Sequence, residues 1–435
     1  MRTQPGIRGL GATLIASALV FAACGPSASS KAPSAPAATT GSEASNAPSS
    51  APSASLSGTT VTVWTMEDAT KFEALVQPFV DSSGVTVDVE AVPWDAINEK
   101  LTTAVASGDG PDVTQIGLSL LPTFQAADAL EDVTDDLAAH PALDSSTFLD
   151  AVSADQLSPD GAVTSVPWVA DTRVLFYRTD IFQEVGLAGP PTTWAEFIAA
   201  AEQLATRGEG QYGYYIPQWD APLPIQFTWQ AGGDVVGADG KIDLDTPEFK
   251  KAVDLYTSFF EKNTVPTASD FDQTAGFISG AAPMLISGPY LASAIKEQAP
   301  ELDGKWAVTT LPKDVAGTAL FAGSNMGVWN GSDNVDGALA LLDFLAAPET
   351  QVAWFTATGS LPTNKAAAAD PAVTADPNVA VYAEQLADAK LLPLIPQWDQ
   401  ISAAILASLN EIVLNGADKA ATLETLNQTV ADLQQ

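Results

Sequence analysis

The chain has 435 residues, of which 46% are apolar, and its 18 basic and 53 acidic side chains give a formal net charge of −35. So negative a surface repels nucleic acid and anionic lipid, so neither is expected as a partner. With Cys24 and His140 as the only cysteine and histidine, the chain lacks the residues for a disulfide, a His-based triad or a multi-histidine zinc site. We therefore expect no metal and no cofactor.

The first 58 residues have the composition of a leader and a tether. Arg2 and Arg8 precede an apolar run that ends at Cys24, a pattern that resembles a bacterial lipoprotein signal. We expect cleavage of residues 1–23 and lipidation of Cys24; an ordinary secretory leader is the alternative. Residues 24–58 are almost entirely small or Pro and cannot bury an apolar face, so we expect a disordered linker. We therefore predict that the mature protein is anchored by lipid to the outer face of the cell membrane.

The body begins with alternating strand and helix patterns. Residues 61–65, 85–92 and 112–116 have strand character, and helical spacing of apolar residues separates them at 72–80 and 94–105. This β-α-β-α-β run predicts an α/β fold with a parallel sheet. Ligands bind at the carboxyl ends of such strands, which here are residues 65–67, 91–94 and 116–119.

The rest of the chain is also predicted to contain both strands and helices. Residues 165–177 are expected to be extended. Thr193 and Glu196 form a capping-box pattern, and Thr246 followed by Pro247 predicts another helix start. Further helices are expected near 180–187, 335–346, 349–357 and 399–415.

Trp168, Asp171 and Arg173 form the first candidate site. Along an extended segment, Asp171 and Arg173 point the same way because side chains alternate with period two. A carboxylate, a guanidinium and an indole together suit a polyhydroxylated ligand, since they accept, donate and cover an apolar C–H face. A salt-bridged strand end with Trp168 in the core explains the same residues equally well.

Aromatic residues in irregular segments form a second candidate set. Trp219, Tyr290 and Trp398 each follow Pro or Pro-Gln, and for these we favour stacking on a ligand over burial in the core. Other tryptophans occur at helical spacing and are assigned to the core: Trp194, Trp229 and Trp354. Glycine-rich segments at 107–111, 287–290 and 321–325 are plain turns, hinges, or places where backbone approaches a ligand.

The order of these motifs resembles that of family 1 extracellular solute-binding proteins of ABC importers, which include maltose- and trehalose-binding proteins. The resemblance covers nearly all of residues 59–435. It is carried by short motifs in a shared order: Val61-Thr-Val-Trp64, Gly110-Pro-Asp112, Pro167-Trp168 with Asp171, Pro191-Thr-Thr-Trp194, Ala231-Gly-Gly-Asp234, Ser287-Gly-Pro-Tyr290, Gly323-Ser-Asn325, Gly359-Ser-Leu-Pro-Thr363 and Pro396-Gln-Trp398.

The resemblance implies a two-lobed, periplasmic-binding-protein-like fold of type II with the ligand cleft between the lobes. It places 59–168 with 325–362 in an N-lobe and 169–324 with 363–435 in a C-lobe, with hinges near 169, 323 and 363. By position, Asp171 matches the carboxylate that binds sugar hydroxyls, and Tyr290 matches the stacking aromatic. The remaining positions that it makes candidates for ligand contact are Glu67, Ser119, Gly323, Ser324 and Trp398.

The function implied is binding rather than catalysis. The protein would bind a neutral sugar, close around it, and deliver it to the transmembrane subunits of an ABC permease, acting as a monomer. Ser119 stands where some relatives have an acidic residue and Ile116 where maltodextrin binders have an aromatic, so the resemblance does not single out maltose as the ligand. One alternative keeps the fold and binds a polyol, sugar phosphate or peptide; another is a secreted carbohydrate-active enzyme using Asp171 and Glu67.

Overall fold

A computed structural model describes residues 56–153, 156–158, 161–218 and 221–435. The predicted leader, most of the predicted linker with Cys24, and Trp219 lie outside the described residues. The described residues form one compact unit.

The strands of that unit are β1 (Thr60–Thr65), β2 (Thr86–Ala91), β3 (Val113–Gly117), β4 (Val166–Thr172), β5 (Val174–Tyr177), β6 (Met284–Ser287), β7 (Ala307–Thr309), β8 (Ala319–Val328), β9 (Leu361–Pro362) and β10 (Ala389–Leu391).

The first nine α-helices are α1 (Ala69–Ser83), α2 (Trp94–Ser107), α3 (Leu121–Ala126), α4 (Asp150–Ser153), α5 (Thr179–Glu184), α6 (Trp194–Ala205), α7 (Pro222–Gln230), α8 (Pro247–Glu261) and α9 (Gln273–Ser279). The later ones are α10 (Pro289–Gln298), α11 (Val335–Ala346), α12 (Pro348–Thr358), α13 (Lys365–Ala368), α14 (Pro371–Thr374), α15 (Pro377–Leu386), α16 (Trp398–Asn415) and α17 (Lys419–Leu433).

The strands form two sheets of unequal size. The larger has the order β2-β1-β3-β8-β4-β9, with β10 paired to one end of β8. Within it β1 pairs in parallel with both β2 and β3, which confirms the predicted β-α-β-α-β run. The smaller sheet has the order β6-β5-β7 and is antiparallel.

Strand β8 joins the N-terminal strands to the rest of the large sheet. It pairs antiparallel with β3 and β4 and parallel with β10. The predicted crossings near 169 and 323 therefore fall inside β4 and β8, where the two strands are paired. The division of the chain into two lobes at these positions stays a prediction.

Local signals in the sequence explain where the helices begin and end. Helix α6 has the full capping box, in which Thr193 and Glu196 satisfy each other's backbone amides. The Thr246 side chain caps α8, whose first residue is proline. Helix α16 ends at Gly416, which has a left-handed backbone. No helix within the described ranges is long and apolar enough to cross a bilayer.

Candidate functional site

A buried glutamine of β3 joins the carboxyl end of β1 to the middle of β8. Gln115 Oε1 accepts hydrogen bonds from Thr65 Oγ1 and from the Met66 amide, both at 2.8 Å. Gln115 Nε2 donates to Ser324 Oγ, also at 2.8 Å. The Glu67 amide in turn donates to Thr65 Oγ1 at 3.2 Å. The loop that carries Glu67 is thus fixed to β3 and β8, so Glu67 and Ser324 belong to one network.

Asp171 and Arg173 lie on the same side of the chain, as their spacing predicts. Arg173 Nη1 donates to Asp171 Oδ2 at 2.6 Å, and the two side chains are 22% and 16% exposed. The other carboxylate oxygen, Asp171 Oδ1, is buried and has no hydrogen-bond partner among the described residues. One oxygen of Asp171 is thus held by the guanidinium, while the other is left to accept from a further donor.

Tyr290 lies near this ion pair, in the first turn of α10, which follows β6. The Arg173 guanidinium carbon lies 5.8 Å from the Tyr290 ring centroid. The Tyr290 hydroxyl accepts a hydrogen bond from Ser287 Oγ at 2.9 Å, and Gln273 Nε2 lies 3.4 Å from it. With 43% of its surface exposed, the ring is oriented by these contacts and still presents area for stacking.

Gly288 allows this close approach. A Cβ at this position would lie 2.4 Å from Arg173 Nη1 and 2.6 Å from Asp171 Oδ1. The backbone of Gly288 has an ordinary φ of −97°, so the requirement for glycine is steric. The glycine of the 287–290 segment is therefore part of the site and more than a plain turn.

Both carboxylates of the site have raised pKa values, and the charge of Asp171 contributes to that of Glu67. Burial, reinforced by the charge of Asp171, raises the pKa of Glu67, and the hydrogen bond to Gln115 opposes that rise only partly. Burial also raises the pKa of Asp171, against the effect of Arg173. Partly desolvated carboxylates accept strong hydrogen bonds, so the pair suits a ligand that carries several neutral hydroxyl donors.

Trp94 also lies at the carboxyl ends of the strands, although the sequence argument did not select it. It is the first residue of α2 and is 52% exposed. Its ring lies against Gly117 at the end of β3, where a Cβ would be 2.2 Å from Trp94 Cη2. Its place directly after β2 was the available signal, since that strand end was predicted to face the ligand.

Trp168 and Trp398, two of the candidate ligand contacts from the sequence, are buried in the core. Trp168 is 2% exposed and packs in an aromatic cluster with Phe72 and Trp354, at centroid distances of 6.1 and 5.6 Å. Trp398 is 3% exposed and is the first residue of α16, where an irregular segment was expected. Both rings lie in the core cluster. For Trp168 this is the alternative that the sequence left open, and for Trp398 it goes against the ligand stacking that the sequence favoured. The core assignments of Trp194, Trp229 and Trp354 are confirmed.

Ser119 and Gly323 lie near the same sheet edge. Ser119 is half-buried in the turn after β3. The Gly323 carbonyl accepts a hydrogen bond from the Leu118 amide at 3.1 Å. Gly323 has a φ of +148°, and a Cβ there would lie 2.2 Å from the Val169 carbonyl oxygen, so only glycine permits β4 and β8 to pair at this point. Among the described residues, no three His, Cys, Asp or Glu side chains gather as a metal site requires.

Two carboxylates, a guanidinium and the exposed rings of Trp94 and Tyr290 follow strand ends of the two sheets. This arrangement is that of an α/β protein that binds small polar solutes. The chain belongs to the bacterial extracellular solute-binding proteins, since the model of that family matches residues 74–381. The family membership inferred from the sequence motifs is confirmed.

Individual relatives align with most of the chain. A binding protein of Brucella abortus (strain 2308) is 28% identical over 381 residues, which is 84% of this chain and 90% of the relative. The solved structure of the sugar-binding protein MalE from Xanthomonas citri is 28% identical, with a TM-score of 0.75 over 86% of this chain and 97% of MalE.

A third structure supports the fold alone. An ABC transporter solute-binding protein from Thermotoga lettingae TMO, bound with α-D-tagatose, is 24% identical, with a TM-score of 0.81 over 87% of this chain and all of that one. The two-lobed α/β fold predicted from the sequence is confirmed by these matches.

Proposed function

We propose that this protein is the extracytoplasmic substrate-binding component of an ABC importer and that it binds a neutral sugar between its two lobes. The ligand would lie at Glu67, Asp171, Arg173 and Tyr290, with Trp94 beside them. Binding would shift an open–closed equilibrium towards the closed form that the permease recognises. The protein would bind its ligand and leave it chemically unchanged.

The observation that carries this proposal is the Asp171–Arg173–Tyr290 group. Asp171 Oδ1 is buried and has no hydrogen-bond partner in the described part of the chain, although buried polar groups are normally hydrogen-bonded. A sugar hydroxyl would supply the missing donor, Arg173 would donate to another hydroxyl, and the Tyr290 ring would cover the apolar face of the sugar. This is the arrangement of polar and aromatic groups that a neutral polyhydroxylated ligand requires.

The charge of the site favours a neutral ligand over an anion. Arg173 is already paired with Asp171 at 2.6 Å, and Glu67 adds a second negative charge nearby. A phosphate or carboxylate would approach two carboxylates and find no unpaired arginine among these site residues. We therefore infer a sugar, and a polyol is the nearest alternative because it offers the same hydroxyls.

The leader pattern and the family support a proposed location at the outer face of the cell membrane. Residues 1–23 would be removed, Cys24 would carry lipid, and residues 24–58 would tether the monomeric body to the outer face of the cell membrane. The partner there would be the pair of transmembrane permease subunits. The lobes would be 59–168 with 325–362 and 169–324 with 363–435.

Intrinsic tryptophan fluorescence of the purified full-length protein tests the binding proposal. The protein is titrated with mono-, di- and oligosaccharides in a non-glycosidic detergent, since a glycosidic one would compete. Asp171→Asn and Tyr290→Ala should each weaken the binding of the best sugar by about tenfold or more, as expected for loss of hydrogen bonds to a charged acceptor or of a stacked ring.

Asp245→Asn is the matched control, because Asp245 is an exposed carboxylate paired with Lys250 on α8. It should leave sugar affinity unchanged. Saturable binding of a polyol, phosphate ester or peptide in place of any sugar would overturn the sugar assignment. Turnover of a bound glycoside would overturn the assignment as a binding protein.

A further inference from the structure

Gln115 holds the loop that carries Glu67, and it has no role in the function proposed so far. Residues 66–68 form this loop, which connects β1 to α1. At one end of the loop the Asp68 side chain caps α1. At the other end the Met66 amide donates to Gln115 Oε1 at 2.8 Å. Glu67 therefore lies between two fixed points, one of which is a side chain of β3.

All four hydrogen-bonding positions of the Gln115 amide are occupied by groups of the protein. Its oxygen accepts from Thr65 Oγ1 and from the Met66 amide. Its nitrogen donates to Ser324 Oγ and also hydrogen-bonds the Glu67 carboxylate. A primary amide offers two acceptor and two donor positions, so none is left for a ligand. Since only 1% of its surface is exposed, Gln115 can influence ligand binding only through other residues.

A backbone amide fixes the direction of these hydrogen bonds. The Met66 N–H can only donate, so the atom of Gln115 beside it is the carbonyl oxygen. The amide nitrogen must then face Ser324 and Glu67. Burial and the charge of Asp171 both disfavour the ionised form of Glu67, and the hydrogen bond from Gln115 favours it. Gln115 thus helps to keep a charged acceptor at this position.

On its other side Gln115 is attached to a well-paired part of the large sheet. Ser324 lies on β8, where its backbone is paired with Gly117 of β3 and Val169 of β4. Gln115 itself belongs to β3, which pairs with β1 and β8. Strands paired on both edges move only when the core opens. The Glu67 loop is therefore attached to one of the most rigid parts of the fold.

We propose that Gln115 is a positioning residue, which holds the Glu67 carboxylate in the orientation that the ligand requires and raises ligand affinity without touching the ligand. The inference rests on the proposed function, because it concerns a ligand contact of that same site. A side chain that is already ordered in the free protein weakens binding less than one that the ligand must order. Gln115 would supply this order for Glu67.

Calorimetric titration of Gln115→Met, Glu67→Ala and the double variant with the sugar that binds best tests this role. Methionine keeps the length of the side chain and removes its hydrogen bonds. Gln115→Met alone should weaken sugar binding by about 3–12-fold, the effect of having to order one long side chain. In the Glu67→Ala background the same change should alter affinity by less than about twofold, because Gln115 then has no carboxylate to hold. A merely structural defect would weaken binding equally in both backgrounds.

Gln385→Met is the matched control. Gln385 on α15 is also buried, and its amide accepts from the Leu311 amide and donates to the Gly317 carbonyl, both at 2.8 Å. These partners are outside the set of residues proposed to contact the ligand. Gln385→Met should lower the melting temperature about as much as Gln115→Met does, since each removes a buried amide, and it should change sugar affinity by less than about twofold.

Thr65→Val tests the same network if Gln115→Met does not fold. It keeps the shape of the side chain and removes the hydroxyl that donates to Gln115 and accepts from the Glu67 amide. We expect it to weaken sugar binding by about threefold or more in the wild type and by less than about twofold in Glu67→Ala. Equal losses in both backgrounds, or unchanged affinity in both variants, would overturn the positioning role and leave the sugar site intact. Binding of no sugar by the wild-type protein would overturn the proposed function, and the positioning role with it.

Discussion

Replacing Gly288 by alanine tests the geometry of the site without removing any side chain proposed to touch the ligand. The new Cβ would lie 2.4 Å from Arg173 Nη1 and 2.6 Å from Asp171 Oδ1, and real Cβ atoms essentially never come closer than 3.0 Å. The guanidinium and the carboxylate must therefore move apart or away. The backbone itself accepts alanine, because φ is −97°.

We expect Gly288→Ala to weaken sugar binding more than it lowers the stability of the fold. Displacing the Asp171 carboxylate loses at least one hydrogen bond from a sugar hydroxyl to a charged acceptor, about 1.5–3 kcal/mol. At about 1.4 kcal/mol per tenfold, sugar affinity should fall by about 10–150-fold. Unfolding free energy should fall by only about 1 kcal/mol, the lower end for added core volume, because the atoms that must move are the ends of side chains.

Calorimetric titration with the sugar that binds best measures the affinity, and thermal unfolding measures the stability. Gly189→Ala is the control, since a Cβ at Gly189 meets no atom within 4 Å, and it should bind as wild type does. If Gly288→Ala binds the sugar within about twofold of wild type, then the Asp171–Arg173 arrangement is not what holds the ligand.

Three further predictions concern the pKa of Glu67, the Trp94 ring and the lipid anchor at Cys24. Because burial and Asp171 raise the pKa of Glu67, wild type loses stability as pH rises through that raised value. Unliganded Glu67→Gln should therefore melt at a higher temperature than wild type at neutral pH, and the difference should vanish below the ordinary value of 4.5; equal melting throughout a pH series would contradict the desolvated carboxylate. Trp94→Ala should weaken sugar binding by about 2–12-fold, since a stacked ring contributes about 0.5–1.5 kcal/mol, with little effect on the melting temperature; unchanged affinity would remove Trp94 from the site. Cys24→Ser should release the protein from the membrane fraction into the medium, and full retention in the membrane pellet would exclude the lipid anchor.

Local patterns predicted the N-terminal part of the large sheet well. Alternation in 61–65 and 85–92, with helical spacing between them, leads directly to β1, α1 and β2 in parallel pairing. Period two also placed Asp171 beside Arg173, which the 2.6 Å contact confirms. These features depend on neighbours within a few residues, and a local pattern contains that information.

The contacts that complete the site are between residues distant in sequence. Gln115 bonds Ser324 across 209 positions, and a single strand, β8, pairs with three others. Neither feature is visible in local periodicity, because strand order and register depend on the packing of the whole sheet. The motif order that identified the family carried this long-range information indirectly.

The burial of single aromatic residues was the least predictable feature. For Trp168 the sequence left ligand contact and core burial open, and it lies with Phe72 and Trp354 in the core. Trp94 was not selected as a ligand contact and is 52% exposed. An aromatic side chain beside a proline or at a helix start suits either environment. Which one it occupies depends on the elements packed against it, and here those elements come from distant parts of the chain.

The most direct test of the proposed sugar site is a crystal structure of the protein with the sugar that binds most tightly in titration. We expect a sugar hydroxyl within hydrogen-bond distance of Asp171 Oδ1 and a sugar ring against the face of Tyr290. A ligand bound elsewhere, with Asp171 Oδ1 still buried and unpartnered, would contradict it.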